Sequence, residues 1–318
     1  SLKRGFDSKP MQCSMYVTDH CNLDCRYCTE YDNSRPQPDV VEVKKWVKHV
    51  RQLGVTRVAF VGGEPLMHPG IVEIVGYANS LGLATSLTTN GFLLTETLVA
   101  DFEEAGLDVI QISVDRMTPS RVTKKSVKSV EKKIGFLQNS KIKFHITGVI
   151  CEDTFEESKE VLDYGLARSI STEVRIVHSD PDHTMRVEPA SKQKQKELLL
   201  SMKERKRNGE KIHSSEMALE YQLDLINGDD TENRWVCATG YKLFFVSASG
   251  KFMECSMRPP ERDILSMTLG DLKAYHRKKP CQRGCGVYCA VSTSLYLKKP
   301  FLFLGKEAIS RVTGQFGF

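Results

Sequence analysis

Three cysteines lie close together near the start of the chain. Cys21, Cys25 and Cys28 are separated by four and three residues on one predicted loop. Thiolates at this spacing can bind three irons of a cubane [4Fe–4S] cluster and leave the fourth iron open to a small molecule, which it can reduce. The alternative is a zinc site, for which the neighbouring His20 could supply a fourth ligand.

A second group of cysteines lies towards the other end of the chain. It consists of Cys237, Cys255, Cys281, Cys285 and Cys289. Four of these thiolates could close a second iron–sulfur site, and a zinc ribbon-like structural site is the alternative. The remaining two of the ten cysteines stand apart, and we expect Cys13 and Cys151 to be small buried apolar side chains.

The composition indicates a soluble globular protein, with 40% hydrophobic and 27% charged residues in 318. We see no secretory signal and no apolar run near the ~20 residues that span a bilayer, so we expect a cytoplasmic protein. In a reducing compartment, clustered cysteines favour metal binding or catalysis over disulfides. The net charge of +5 suits an anionic substrate, an acidic electron donor or an anionic membrane surface, and selects none of them. We expect no nucleic-acid partner.

Six short β-branched segments alternate with amphipathic helical segments. The predicted strands are Gln12–Val17, Arg57–Val61, Ala84–Thr89, Val109–Val114, Lys143–Ile150 and Glu173–His178. The helices predicted between them are Val40–Leu53, Ile71–Leu81, Thr95–Glu104, Ser126–Gln138 and Phe155–Gly165. This alternation predicts an α/β fold, a partial (β/α)6 TIM-like barrel with its chemistry at the carboxyl ends of the parallel strands.

The pattern changes near residue 190. Two polar helices, Lys192–Lys211 and Ser215–Ile226, predict a helical connector, and the basic residues of the first are expected to face solvent. The segments Tyr241–Val246 and Lys251–Glu254 predict a β-hairpin. We therefore divide the chain into a barrel over 1–189, a connector over 190–233, and a small hairpin-and-loop domain with a tail over 234–318.

The apolar segment Ser294–Leu304 in that tail is expected to dock on the barrel. Peripheral membrane contact through this segment is the alternative.

Glycines and polar residues stand at the ends of the predicted strands, where a ligand would bind. Gly62-Gly63-Glu64-Pro65 follows the second strand; its glycines permit close approach of backbone and ligand, and Glu64 can accept a hydrogen bond from an amine, although an ordinary turn is the alternative. The other candidates, each with a structural role as its alternative, are Asn90, Ser113 and Asp115 on one strand face, Gly148 and His178.

The Cys-x3-Cys-x2-Cys spacing after a first strand, with Tyr27 before the last cysteine, resembles the radical S-adenosylmethionine (SAM) superfamily. The resemblance implies that Cys21, Cys25 and Cys28 hold a [4Fe–4S] cluster whose open iron is chelated by SAM. Reduction of such a cluster cleaves SAM to methionine and a 5′-deoxyadenosyl radical, which abstracts hydrogen from a substrate.

The resemblance also implies roles around SAM. Gly62, Gly63 and Glu64 would bind its amino group, Ser113 and Asp115 its ribose or carboxylate, and Gly148 its adenine; the remaining expected contacts to cofactor or substrate are Tyr27, Asn90 and His178. Members of this superfamily often place an arginine after the fourth strand to bind the SAM carboxylate. Here the sequence offers Arg116, Arg121, Lys124 and Lys125, and none matches that pattern.

The Gly250-x4-Cys255 element and the cysteines around it resemble the SPASM and twitch extensions of radical SAM enzymes. Five cysteines are too few for two further clusters, so the resemblance implies one auxiliary [4Fe–4S] cluster. We rank Cys237, Cys255 and Cys289 first as its ligands, followed by Cys281 or Cys285.

These observations predict a radical SAM enzyme acting on a small-molecule, sugar- or lipid-derived substrate, with oxidation through the auxiliary cluster as one outcome. A flavodoxin- or ferredoxin-type protein would donate the electron. The alternatives are a peptide-modifying maturase of the RiPP type and, from another class, a non-catalytic Fe–S electron carrier or a zinc-stabilised binding module. An electron carrier needs no SAM pocket, so the strand-end motifs argue against it.

Overall fold

The computed structural model describes residues 9–177, 187–228, 235–282 and 285–298. Six strands begin the fold: β1 (Gln12–Thr18), β2 (Arg57–Gly62), β3 (Ala84–Thr89), β4 (Val109–Ser113), β5 (Lys143–Ile150) and β6 (Ser171–Ile176). The helices between them are α1 (Val40–Gln52), α2 (Ile71–Ser80), α3 (Glu96–Glu104), α4 (Val127–Gln138) and α5 (Phe155–Ala167). All eleven elements were predicted from the sequence.

The later elements are α6 (Lys192–Arg207), α7 (Glu216–Asn227), β7 (Leu243–Val246), β8 (Phe252–Met253), α8 (Leu269–Ala274) and α9 (Tyr288–Lys298). The predicted tail segment falls partly on α9, and its residues after Lys298 lie outside the described residues. In the described part of the chain, no helix is long and apolar enough to cross a membrane.

The sheet is mostly parallel and has the strand order β6-β5-β4-β3-β2-β1-β7-β8. Strands β1 to β6 lie side by side in chain order, as expected for a partial TIM-like barrel, and the α/β prediction is confirmed. The predicted hairpin is formed by β7 and β8, but β7 pairs in parallel with β1. The hairpin therefore extends the barrel sheet at its β1 edge.

Strand β6 begins at Ser171, two residues before the predicted start. The Thr172 N–H binds the Lys211 carbonyl at 3.0 Å, and the His213 N–H binds the Thr172 carbonyl at 3.0 Å. The segment that follows α6 thus supplies a partner to the outer edge of β6. This pairing depends on contacts across about forty residues, which sequence periodicity does not report. His178, predicted at the strand end, lies outside the described residues.

The two faces of the sheet differ in polarity. Val58, Phe60, Ile112 and Ile146 are fully buried under the helices, with Cys13 among them. Side chains alternate across a strand. The opposite face, which we call the inner face, therefore carries the polar residues Ser86, Gln111, Ser113, His145, Thr147 and Glu173. An apolar core under the helices stabilises the barrel and leaves its interior free for polar chemistry.

The connector helices pack on the α5–β6 side of the barrel. Leu198 and Leu199 of α6 and Leu219 of α7 join Val174 and Ile150 in one buried cluster. On the outer side of α6, three basic residues pair with acids of neighbouring helices and loops: Lys194 with Glu152, Lys203 with Glu220, and Arg205 with Asp163. These partly exposed pairs fit the predicted solvated helix face.

Candidate active site

The first cysteine loop begins directly after β1. Cys25 is buried, and Cys21 and Cys28 are half-buried. The Cys28 N–H binds the Cys25 carbonyl at 3.0 Å, which closes a tight turn, and the Cys25 Sγ lies 3.2 Å from the Thr123 hydroxyl. The Arg26 N–H binds the Val122 carbonyl at 2.9 Å. The loop is thus held against the segment that follows β4.

The glycine motif after β2 lies against this loop. A Cβ on Gly63 would lie 2.3 Å from the His20 carbonyl oxygen, and one on Gly62 would lie 2.2 Å from the Thr18 carbonyl oxygen. The Glu64 N–H binds the His20 carbonyl at 2.7 Å. The two glycines are therefore needed for close approach of the chain's own backbone, and this approach fixes Glu64 beside the cysteines.

Glu64 joins three of the predicted motifs. Its side chain is only 1% exposed and accepts hydrogen bonds from the Thr89 hydroxyl at 2.7 Å and the Asn90 N–H at 2.7 Å. The Asn90 amide in turn donates to the Asn22 side chain at 2.7 Å, within the cysteine loop. Burial raises the pKa of Glu64, and these hydrogen bonds oppose the shift. The carboxylate is held in place near Cys21.

Asp115 joins the other motifs. It is fully buried, and its carboxylate accepts hydrogen bonds from the Tyr27 hydroxyl, the Thr123 hydroxyl at 3.0 Å and the Val149 N–H at 2.9 Å. One carboxylate thus connects the cysteine loop, the segment after β4 and strand β5. Such hydrogen bonds satisfy a buried charge that would otherwise be costly.

Two predicted residues have a clear structural setting. A Cβ on Gly148 would lie 2.6 Å from the Val114 carbonyl oxygen, so close packing of β4 and β5 requires glycine there. Ser113 is half-buried on the inner face and is paired in register with Thr147. Their expected contacts with adenine and ribose stay predictions.

The four basic residues after β4 differ in their surroundings. Arg116 forms ion pairs with Asp153 at 2.8 Å and Glu157 at 2.6 Å. These two acids, in and next to α5, hold its guanidinium. Arg121 and Lys124 are exposed. Lys125 is half-buried, and its ammonium lies over the Tyr27 ring, 5.3 Å from the centre.

The charge of Lys125 is surrounded by acids and thiols. Burial would lower its pKa, but Tyr27, Asp115, Cys25 and Cys28 raise the pKa of Lys125 well above its usual range. Burial raises the pKa of Cys21 to about 11, and Lys125 acts in the opposite direction. Burial also raises the pKa of Cys28, and Lys125 opposes the rise at both Cys21 and Cys28, which favours the thiolate form that binds iron.

A comparison with known families assigns the segment that contains this site. Residues 15–165 match the sequence profile of the Radical SAM superfamily. This segment is a radical SAM domain. Proteins of this superfamily use a [4Fe–4S] cluster and SAM, so the predictions of the family and of these two cofactors are confirmed. The three thiols with an adjacent cation fit such a cluster.

Two curated relatives are similar to the domain. GTP 3′,8-cyclase of Chlorobaculum tepidum is 42% identical over 111 residues, which are 34% of this chain and 33% of the relative. PqqA peptide cyclase of Gluconobacter oxydans is 36% identical over 114 residues, which are 35% of this chain and 32% of the relative. The chain thus matches about a third of the length of each relative.

Solved structures show the same fold over more of the chain. The structure of Streptococcus suis SuiB bound to its precursor peptide SuiA superimposes on 88% of this chain and uses 67% of the SuiB chain. The TM-score is 0.66 and the sequence identity is 14%. The structure of native anSMEcpe with bound AdoMet superimposes on 94% of this chain and uses 100% of the anSMEcpe chain. The TM-score is 0.64 and the sequence identity is 16%. At these identities the likeness concerns the fold, and it extends well beyond the radical SAM domain.

The second cysteine group comes together beyond the radical SAM domain. Burial raises the pKa of Cys285 to about 12, and Cys237, Cys255 and Cys281 lie close enough to contribute. Burial likewise raises the pKa of Cys289 to about 12, with a contribution from Cys255. The structure therefore brings five cysteines together, from Cys237, six residues before β7, to Cys289 at the start of α9.

The spacing of the sulfur atoms bears on the zinc alternatives. Among the described residues, which include all ten cysteines, no three sulfurs lie within 4.8 Å of one another. Thiolates on a single tetrahedral zinc lie closer, about 3.8 Å apart for bonds of about 2.3 Å. A cluster of several irons holds its thiolates further apart than a single ion does.

Tyr16 on β1 lies between the two cysteine groups. Its hydroxyl donates to the Glu30 carboxylate. Burial, Glu30, and the neighbouring Cys289 and Cys28 raise the pKa of Tyr16 well above its usual value. The ring also packs with Leu243 and Phe245, on the inner face near the hairpin. One tyrosine of the radical SAM domain thus lies near a cysteine of each group.

A charged cluster on the inner face was not predicted from the sequence. Glu173 and Arg175 of β6 form an ion pair, and the rings of His145 and His213 stack beside them with centroids 3.8 Å apart. Burial alone would raise the pKa of Glu173, but Arg175 and the two histidines lower it to about 2. The only sequence signal was charge in the middle of a strand otherwise expected to be buried.

Proposed function

We propose that the chain is a radical SAM enzyme that cleaves SAM reductively and uses the resulting radical to remove hydrogen from a substrate. The supporting observation is the convergence of Cys21, Cys25 and Cys28 with Glu64 and Lys125 at one set of strand ends. When bound, the cluster supplies the electron that breaks the carbon–sulfur bond of SAM. The protein's own groups bind SAM, orient it and exclude water.

In this proposal Glu64 accepts a hydrogen bond from the SAM amino group. It is fixed by Thr89 and Asn90, so little reorganisation is needed on binding. Lys125 binds the SAM carboxylate, because it is the basic residue after β4 that lies among the cysteines and has no ion pair to another side chain in the described part of the chain. Asp115 holds Tyr27 and the β5 backbone in position beneath SAM.

The second cysteine group is proposed to hold one auxiliary [4Fe–4S] cluster. Its support is the proximity of Cys237, Cys255 and Cys281 to Cys285. Cys255 and Cys285 each lie near the other four cysteines, and two of Cys237, Cys281 and Cys289 would complete the set. Cys289 lies near both Tyr16 and Arg175, so this site borders the inner face, where a substrate radical could be oxidised.

The proposed substrate is a small molecule, and the polar inner face favours one with hydrogen-bonding groups. A peptide substrate is the second candidate, favoured by the similarity to PqqA peptide cyclase and by the fold shared with SuiB bound to a precursor peptide.

A flavodoxin- or ferredoxin-type protein is the proposed electron donor, and an acidic protein of this kind suits the net charge of +5.

The test is anaerobic reconstitution, reduction with dithionite, addition of SAM and measurement of 5′-deoxyadenosine by mass spectrometry. Wild type should form 5′-deoxyadenosine and bind about eight irons per chain, and a Cys21/Cys25/Cys28→Ala variant should form none and keep about four. Replacing buried Cys151 by Ala provides the matched control, which should keep both properties. Zinc in place of iron, with no 5′-deoxyadenosine, would contradict the proposal.

A further inference from the structure

Arg175 lies on the inner face and has a buried N–H donor that forms no hydrogen bond within the described part of the chain. Arg175 forms an ion pair with Glu173, and its guanidinium carbon lies 4.0 Å from the centre of the Tyr288 ring. Its Nε is buried and has no hydrogen-bond partner among the described residues. An unpaired buried N–H is costly, so an acceptor supplied by a ligand would stabilise this donor.

Arg175 lies at the level of the proposed SAM site. In the register of β5 and β6 it is opposite Val149, whose N–H binds Asp115, and Asp115 in turn binds Tyr27 of the cysteine loop. Glu173 lies one step lower on the same face, opposite Thr147. Arg175 is therefore the inner-face cation of β6 that is nearest the strand ends.

The surroundings hold the guanidinium in place. Glu173 is fully buried and also accepts hydrogen bonds from the Ser214 hydroxyl at 2.6 Å and the Thr147 hydroxyl at 3.4 Å. The ligand atoms of His145, Glu173 and His213 lie within 4.8 Å of one another, a spacing that could hold a metal ion. Arg175 already neutralises that carboxylate, so a second cation there is disfavoured.

We propose that Arg175 binds an anionic oxygen group of the substrate, a carboxylate or a phosphate, and so holds the substrate beneath SAM. A planar guanidinium is suited to both groups. Glu173 pairs with the guanidinium and Tyr288 of α9 covers one of its faces, so both the barrel and the C-terminal segment hold it in position. This inference rests on the proposed function and narrows its substrate class.

The test uses the reconstituted holoenzyme with its clusters oxidised and with SAM present, so that Lys125 is occupied. Trifluoroacetate and monofluorophosphate are titrated separately and followed by fluorine NMR, with trifluoroethanol as the neutral probe. One of the two anions should bind, and its identity distinguishes a carboxylate from a phosphate. In Arg175→Met this binding should weaken by about 10- to 100-fold.

The matched control is Arg168→Met. Arg168 also stacks on a tyrosine, 3.8 Å from the Tyr164 ring, and lies 3.8 Å from an acid, Glu131, but it is on the outside of the barrel. This variant should bind the anion like wild type. Because Arg175→Met leaves Glu173 buried without its partner, the double variant Arg175→Met/Glu173→Gln is measured as well and should also lose the anion.

Anion binding that survives in both Arg175 variants would overturn the inference, and so would wild type that binds neither anion or binds trifluoroethanol equally well. Formation of 5′-deoxyadenosine by wild type is measured in parallel without any probe. That assay reports the proposed function, and the NMR titration reports Arg175, so either can fail while the other succeeds.

Discussion

The ammonium of Lys125 lies 5.3 Å from the centre of the Tyr27 ring, although the two residues are almost a hundred positions apart in the chain. The ring and the acids around it stabilise the cation. This contact distinguishes Lys125 from Arg116, Arg121 and Lys124 and is the reason we propose it as the residue that binds the SAM carboxylate.

Lys125→Met should weaken SAM binding to the holoenzyme by about 10- to 100-fold, because a charge-assisted hydrogen bond to the carboxylate is lost. Equilibrium dialysis with labelled SAM measures the effect. Lys124→Met, a change at the exposed neighbouring residue, should bind SAM like wild type. Lys125→Arg should recover part of the affinity, since it keeps the charge with a different shape. Unchanged affinity in Lys125→Met would exclude the assigned role.

The affinity for SAM should depend on the ionisation of Glu64. Burial raises the pKa of this carboxyl above the usual 4.5, so protonation begins at a higher pH than for an exposed glutamate. The ionised form is the better acceptor for the SAM amino group, so lowering the pH through the raised pKa should reduce affinity.

The measurement compares SAM dissociation constants of wild type and Glu64→Gln at several values from about pH 8 to about pH 5.5. The ratio of the two dissociation constants cancels the titration of SAM itself, which affects both proteins equally. Wild type should bind SAM more tightly than Glu64→Gln at high pH, and this difference in affinity should shrink as the pH falls. Glu104→Gln, at the end of α3, should show the profile of wild type. A ratio independent of pH would contradict an ionised Glu64 at this site.

Gly63→Ala should disturb the cluster site, because the new Cβ would lie 2.3 Å from the His20 carbonyl oxygen. We expect the free energy of unfolding to fall by about 2–4 kcal/mol and the iron content to decrease. Gly135→Ala is the matched control: its Cβ meets nothing within 4 Å in the middle of α4. That change should raise stability by about 0.5–1 kcal/mol. Equal effects of the two changes would be inconsistent with the close approach described above.

Iron content should identify the ligands of the auxiliary cluster. Cys255→Ser and Cys285→Ser should each lower the iron from about eight to about four per chain without abolishing the first cluster. Of Cys237→Ser, Cys281→Ser and Cys289→Ser, two should lower the iron and the third should not. Cys13→Ser, at a buried position under the helices, provides the control with unchanged iron. Full iron content in all five variants would rule out an auxiliary cluster.

The sequence by itself determined the elements and the first cysteine site. Strands β1 to β5 and helices α1 to α5 begin and end within a residue or two of the predicted positions, because local periodicity, caps and turn glycines specify them. The Asp39 cap at the start of α1 is an example: its side chain accepts from the Glu42 N–H at 2.8 Å. The spacing of Cys21, Cys25 and Cys28 likewise lies within one short segment.

Only the tertiary structure decided which distant charges meet. Arg116 and Lys125 are equally basic in the sequence, but the first pairs with Glu157 outside the site and the second faces the cysteines. The pairing of Glu173 with Arg175, and the placement of Tyr288 over that guanidinium, depend on strand register and on how α9 packs. Local periodicity specifies which face of an element is buried, whereas these contacts depend on how elements far apart in the chain pack together.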